Sequence, residues 1–168
     1  MATRVGTEDN AVEMLEHLMA LDSDAIEAYS AAIERLENQQ WKAQLATFRS
    51  AHERHVHELA PIIRSLGGKP PSGPGAKAML TEGKVKLANL LGDEAILKAM
   101  RSNEDDTNTA YQRALAKCPP EACDMLARGL EDEQRHREWI VATLEGRPVQ
   151  DLAGRRPSSQ RGAPPPVA

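Results

Sequence analysis

Aromatic side chains are nearly missing from this sequence: one Phe, two Trp and two Tyr among 168 residues, 3% in all. Strands are filled by β-branched and aromatic residues, so this shortage argues for a helical protein built on Leu, Ala and Glu. Long apolar runs are absent too, and none approaches the roughly 20 residues of a membrane span. A strong charge of one sign is lacking, and the net charge of -4 argues against nucleic acid as a main partner. The opening MATRVGTEDN has none of the layout of a signal peptide. Cysteine is limited to Cys118 and Cys123, flanking Pro119-Pro120. The expectation is a cytoplasmic protein with both thiols reduced.

What the sequence does contain is helical periodicity with polar intruders. Asn10 followed by Glu13 is a capping signal. From there Val12, Leu15, Leu18, Ala25, Tyr29, Ile33 and Leu36 mark one face of a helix ending near Asn38, interrupted by Asp22. A second helix runs from about Gln40 to Leu66 and stops at Gly67-Gly68, with Pro61 inside it. Its stripe of Leu45, Phe48, His52, His55, Leu59 and Ile62 carries two imidazoles one turn apart. Leu and Phe cannot satisfy four ring nitrogens, so polar partners must face them.

After the turn-rich Lys69 to Gly75, the stretch Ala76 to Leu91 is read as a short crossover helix, and Asp93 as the N-cap of the next long one. That helix, about Glu94 to Lys117, has Leu97, Met100, Thr107, Tyr111, Ala114 and Leu115 on its core face, interrupted by Glu104. Cys118-Pro119-Pro120 breaks it. The last helix has the stripe Leu126, Leu130, Glu133, His136, Ile140 and Leu144, with two intruders. The organisation expected is a flexible N-terminus over 1–10, a helical bundle over 11–146, and a disordered Pro- and Arg-rich tail over 147–168.

The two halves repeat. Asp22 precedes Tyr29 by seven residues and Glu104 precedes Tyr111 by seven, while His55 follows Tyr29 by 26 and His136 follows Tyr111 by 25. Counted from each turn, the intruders lie about 14 to 16 residues away on both arms, which puts them level to within about one helical turn. Two such hairpins packed together bring six polar side chains into one layer. Unpaired, each would cost several kcal/mol to bury, and a whole domain is stable by only about 5 to 15 kcal/mol. Coordination to a metal resolves the conflict.

A carboxylate on the first and third helices, paired ligands at i, i+3 on the second and fourth, and a long central crossover resemble the ferritin-like superfamily of carboxylate-bridged di-metal proteins, and within it small bacterial domains of unassigned function. Glu133-Gln134-Arg135-His136 matches the superfamily's Glu-x-x-His, and Glu104 its third-helix Glu. The resemblance implies an all-α antiparallel four-helix bundle, with Asp22, His52, His55, Glu104, Glu133 and His136 as metal ligands and Tyr29 and Tyr111 beside them. The first half departs from the pattern: Asp22 replaces a Glu, and His52 stands where the second helix supplies a bridging Glu. One ion in each half, or a single ion, are the arrangements left open. Mixed O and N donors suit iron, manganese or zinc better than calcium or magnesium, and the resemblance points to iron among them.

Simpler readings compete. His52 and His55 can be core histidines bonded to Asp22 and Glu104, Glu133 and His136 can lie on a half-exposed face, and Glu53 can replace His52 in a rotated helix. His17 and His57 fall off the stripes, and Trp41 and Trp139 read as packing or interface residues. Two functional classes follow. One is a ferroxidase- or peroxidase-type oxidoreductase that reacts with oxygen or peroxide in iron handling or oxidative-stress protection. The other is a non-catalytic bundle whose metal or polar layer is structural and whose surface binds a protein partner. A homodimer is compatible with both.

Overall fold

The computed structural model describes residues 3–71 and 91–149. Among them are four helices, α1 (Ala11–Arg35), α2 (Gln39–Ser65), α3 (Asp93–Ala116) and α4 (Pro120–Leu144), and no strand. None of these helices is long and apolar enough to cross a membrane. The expected crossover helix at 76–91, all but its last residue, and most of the expected tail lie outside the described residues.

Local signals place the helix ends. The Asn10 side chain accepts from the backbone N–H groups of Val12 and Glu13, satisfying two donors that the first turn leaves free. Asn38, expected at the end of the first helix, instead caps α2, accepting from Gln40 and Trp41, so the chain leaves α1 after Arg35. Gly67 takes φ +83° just past α2, where L side chains are strained and glycine is not. α2 continues through Pro61, whose ring lies on the exposed face.

Two expectations are corrected here. Asp93 is not the N-cap of α3: that position is Gly92, and the Asp93 carboxylate accepts from the backbone N–H groups of Glu37 and Asn38, 2.8 Å each, tying α3 to the α1–α2 corner. Cys118 and Cys123 are joined by a disulfide rather than free. The Pro119-Pro120 corner turns the chain back, leaving their Cα atoms 5.4 Å apart, within reach of a covalent bridge.

The four helices form an antiparallel bundle in which α1 packs on α2 and α3, and α4 packs on α3 and α2. The start of α3 meets the end of α1 through Asp93, while the Thr3 carbonyl and amide bind Arg113 and Asp106 farther along α3. Hence α1 and α3 run in opposite directions. At the other end Lys69 N–H donates to Glu16 near the start of α1. Lys69 and Asp93 therefore lie near opposite ends of the bundle, whose helices are roughly 37 Å long.

The core has two apolar compartments. One gathers Met14, Leu15, Leu18, Leu59, Ile63, Ala114 and Leu126; the other gathers Ala32, Leu36, Leu45, Phe48, Leu97, Met100 and Ile140. Buried polar residues lie between them. Asp93→Ala should destabilise the fold by about 0.5–2 kcal/mol, as expected for losing a side chain that satisfies free backbone donors. Urea denaturation checks this, and an unchanged midpoint would show that water replaces the carboxylate.

Candidate metal centre

All six intruders are buried: Asp22, His52, His55, Glu104, Glu133 and His136 are between 0% and 4% exposed. The structure arranges them in two overlapping groups, Asp22–His52–His55–Glu133 and His52–Glu104–Glu133–His136. Within each group one ligand atom per residue lies within 4.8 Å of the others. Four helices contribute, each through the position that interrupted its apolar stripe. The half-exposed reading of Glu133 and His136 is thereby set aside. Glu53 is exposed and pairs with Arg49 at 3.4 Å, which leaves it out of the layer. His17 and His57 are exposed, Trp139 packs on Phe48, and Trp41 lies against the same apolar compartment.

The hydrogen bonds within the layer satisfy only part of it. His52 Nδ1 lies 2.9 Å from Asp22 Oδ1. Six atoms remain without a hydrogen-bond partner: His52 Nε2, His55 Nδ1, Glu104 Oε2, both oxygens of Glu133, and His136 Nδ1. Every one belongs to the two groups. A buried polar atom left unpaired costs about 1–3 kcal/mol, and these six are the donor types that metals take. The donor set therefore fits a metal ion. Histidines satisfied by hydrogen bonds alone account for His52 Nδ1 and His55 Nε2 and leave these six atoms unexplained.

The tyrosines tie the halves together. Tyr29, from the first hairpin, donates its O–H to Glu104 of the second, and Tyr111 of the second donates to Asp22 of the first at 2.8 Å. Each hydroxyl binds a carboxylate of the layer itself and leaves that carboxylate's other oxygen toward the centre. Tyr111 needs Gly129: a Cβ there would stand 2.4 Å from the tyrosine ring.

Four contributors escaped sequence reasoning. Asp132, 7% exposed, accepts from His55 Nε2 at 3.1 Å, and is held in turn by Arg54 and Arg135. With Nε2–H engaged, Nδ1 is the nitrogen turned to Asp22 and Glu133, at 3.5 and 3.6 Å, as an orienting carboxylate does for a ligating histidine. Asn108 donates to the backbone carbonyls of Glu104 and Glu133, 2.9 Å each, locking together the two helices that carry them. The only signals were adjacency: Asp132 precedes Glu133, Arg54 precedes His55, and Asn108 lies one turn after Glu104.

Without metal, the layer shares protons. Burial raises the Glu133 carboxyl to about 8, the charges of Glu104 and Asp22 add to this, and His52 and His55 oppose it. Burial works against a charge on His52, but Glu133, Asp22 and Glu104 outweigh it and hold the imidazole well above its ordinary value. Burial would also raise Asp22, yet its hydrogen bond to His52 and the His55 imidazole close by keep it low. His136 is pushed well down, first by burial and then by the neighbouring imidazoles. Both tyrosines are held neutral by burial and by the carboxylates they face.

Residues 10–117, well over half the chain, match a family model described as a domain of unknown function (DUF2383). The chain belongs to this family. The match takes in α1, α2 and α3 and stops before α4, so Glu133 and His136 lie beyond it. No curated protein matches the chain.

The Glu133 proton sets a pH dependence. Its folded value of about 8 lies above the ordinary 4.5, so the metal-free fold keeps a proton that the unfolded chain releases. That contribution to stability is full below about 4.5 and is lost as pH rises toward about 8. In chelator-treated protein, Glu133→Gln should therefore gain stability relative to the unsubstituted chain as pH rises across this window. Thermal melts of both proteins across the range read the difference, and a gap that does not change with pH would contradict the assignment.

Proposed function

We propose that this is a ferritin-like metal protein whose buried layer holds non-haem iron, or manganese, and reacts with oxygen or peroxide, serving iron handling or protection against oxidative stress. The observation that carries the reading is the convergence of carboxylate and imidazole groups from four helices on one enclosed layer, with six of their atoms, from α2, α3 and α4, left unpartnered. Three carboxylates and three imidazoles suit iron, manganese or zinc better than calcium or magnesium, which favour all-oxygen surroundings. The ligands proposed are Asp22, His52, His55, Glu104, Glu133 and His136. The end of α2 and the start of α3 at opposite ends of the bundle, with the ligand pairs on α2 and α4, support the ferritin-like relation.

Iron or manganese bound there would supply the electrons that reduce a small oxidant. The chain's own residues prepare the surroundings. Asp132 turns His55 Nδ1 inward, and Tyr29 and Tyr111 hold Glu104 and Asp22 while keeping their own protons at the edge of the layer. The apolar compartments on either side exclude bulk water. With its side chains only 0% to 4% exposed, the layer is closed to a bulky organic substrate, which favours a reactant as small as oxygen or peroxide.

A structural role for the layer is the second reading, favoured by the bonds already made by His52 and His55 to Asp22 and Asp132. Oxidation kinetics separate the two. Metal-free full-length protein loaded with Fe(II) under anaerobic conditions and then given oxygen or hydrogen peroxide should oxidise the iron faster than buffer does. Saturation should come at the bound stoichiometry, and Glu104→Gln should slow the reaction. Oxidation no faster than in buffer, with metal tightly bound, would assign the layer a structural role.

A further inference from the structure

His52 occupies the middle of the layer, and its two nitrogens face different ways. Its ring centroid is 5.6 Å from that of His55 and 5.5 Å from that of His136. Nδ1 lies 2.9 Å from Asp22 Oδ1 and 3.5 Å from Glu133 Oε1, on the side where His55 Nδ1 also points. Nε2 lies on the other side, 3.9 Å from Glu104 Oε1, and has no hydrogen-bond partner. His136 Nδ1 faces that second side, 3.7 Å from Glu104 Oε2. His52 and Glu133 are the two residues common to both groups.

We propose that His52 is the shared ligand of a two-ion centre, with Nδ1 on an ion held by Asp22, His55 and Glu133, and Nε2 on an ion held by Glu104, Glu133 and His136. The inference rests on the metal-centre reading above and adds to it the number of ions and the group between them. Forming both bonds displaces the protons on both ring nitrogens to solvent, and the Glu133 carboxyl proton leaves with them, so that His52 serves as an imidazolate beside three charged carboxylates. Charge then balances within the six residues: three carboxylates and one imidazolate match two divalent ions. A low-dielectric layer favours that neutrality strongly. A ring that kept one proton could bind only one of the ions and would leave a net positive charge buried. A ring also separates two ions further than the about 3.5–4 Å of ordinary two-metal sites, so the departure from a bridging carboxylate becomes a different kind of bridge and not a missing one.

Cu(II) is a suitable probe, because it binds N and O sites most tightly among the divalent first-row ions and reports coupling by electron paramagnetic resonance. Metal-free full-length protein is titrated with Cu(II) in the presence of glycine, which removes weakly held copper. The expected result is two tight ions per chain, with the isolated-ion signal of the first equivalent lost as the second enters and couples to it through the ring. His52→Gln, with one donor in place of two, should restore isolated-ion signals or lose an ion. Glu133→Gln should retain the coupling. Circular dichroism confirms that the variants fold, and the wild-type titration needs no variant.

A single tight ion overturns the shared-ligand proposal and leaves the metal centre standing, and so do two ions whose signals simply add. Coupling that survives in His52→Gln and vanishes in Glu133→Gln overturns it as well, by moving the bridge to the carboxylate. No tight copper at all overturns both this proposal and the reading beneath it.

Discussion

The burial of six ionisable side chains in one layer is the constraint on which the rest of this bundle depends. A domain stable by about 5 to 15 kcal/mol cannot leave several charged groups unpaired in its interior. The neighbouring parts can be understood as answers to that problem. Tyr29 and Tyr111 reach across to the opposite hairpin's carboxylates, Asp132 engages the outer nitrogen of His55, and Asn108 binds the carbonyls behind Glu104 and Glu133. Even Gly129, an unfavourable residue inside a helix by about 1 kcal/mol, is explained by the tyrosine ring that lies against it.

The repeated hairpins supply near two-fold symmetry, and the chemistry departs from it at two places. His52 faces Glu133 across the layer, so one half has an imidazole where the other has a carboxylate. Asp132 orients His55, while the residue before His52 on α2 is Ala51, which has no polar group to offer His136. The unequal proton affinities within the layer follow from this asymmetry. His136 is pushed down by burial and then by the imidazoles beside it, with no hydrogen-bonded carboxylate to offset them, whereas His52, likewise buried but among three carboxylates, is pushed up.

Periodicity made the bundle and the layer legible. Asp22, Glu104, Glu133, His52, His55 and His136 stood out because each broke an apolar stripe, and burial follows from stripe position alone. Equal spacing from the turns placed them at one height. Features off the stripes were not legible. Asp93 looked like a cap by its place before a helix, but its carboxylate serves a corner 55 residues away in sequence, a contact that only packing creates. Asp132 lies beside the stripe and is drawn in by Arg54, Arg135 and His55 from two helices. The Cys118–Cys123 bridge depended on how tightly two prolines turn the chain, which composition does not report.

The claim that this layer exists to hold metal is tested most directly by elemental analysis of the full-length protein purified without added metal. The account predicts iron, manganese or zinc bound in at least one equivalent per chain, and lost on combining Glu104→Gln with Glu133→Gln while the helices remain. Folded protein that carries no metal, takes up none from saturating Fe(II), Mn(II) or Zn(II), and melts at the same temperature in their presence would contradict it.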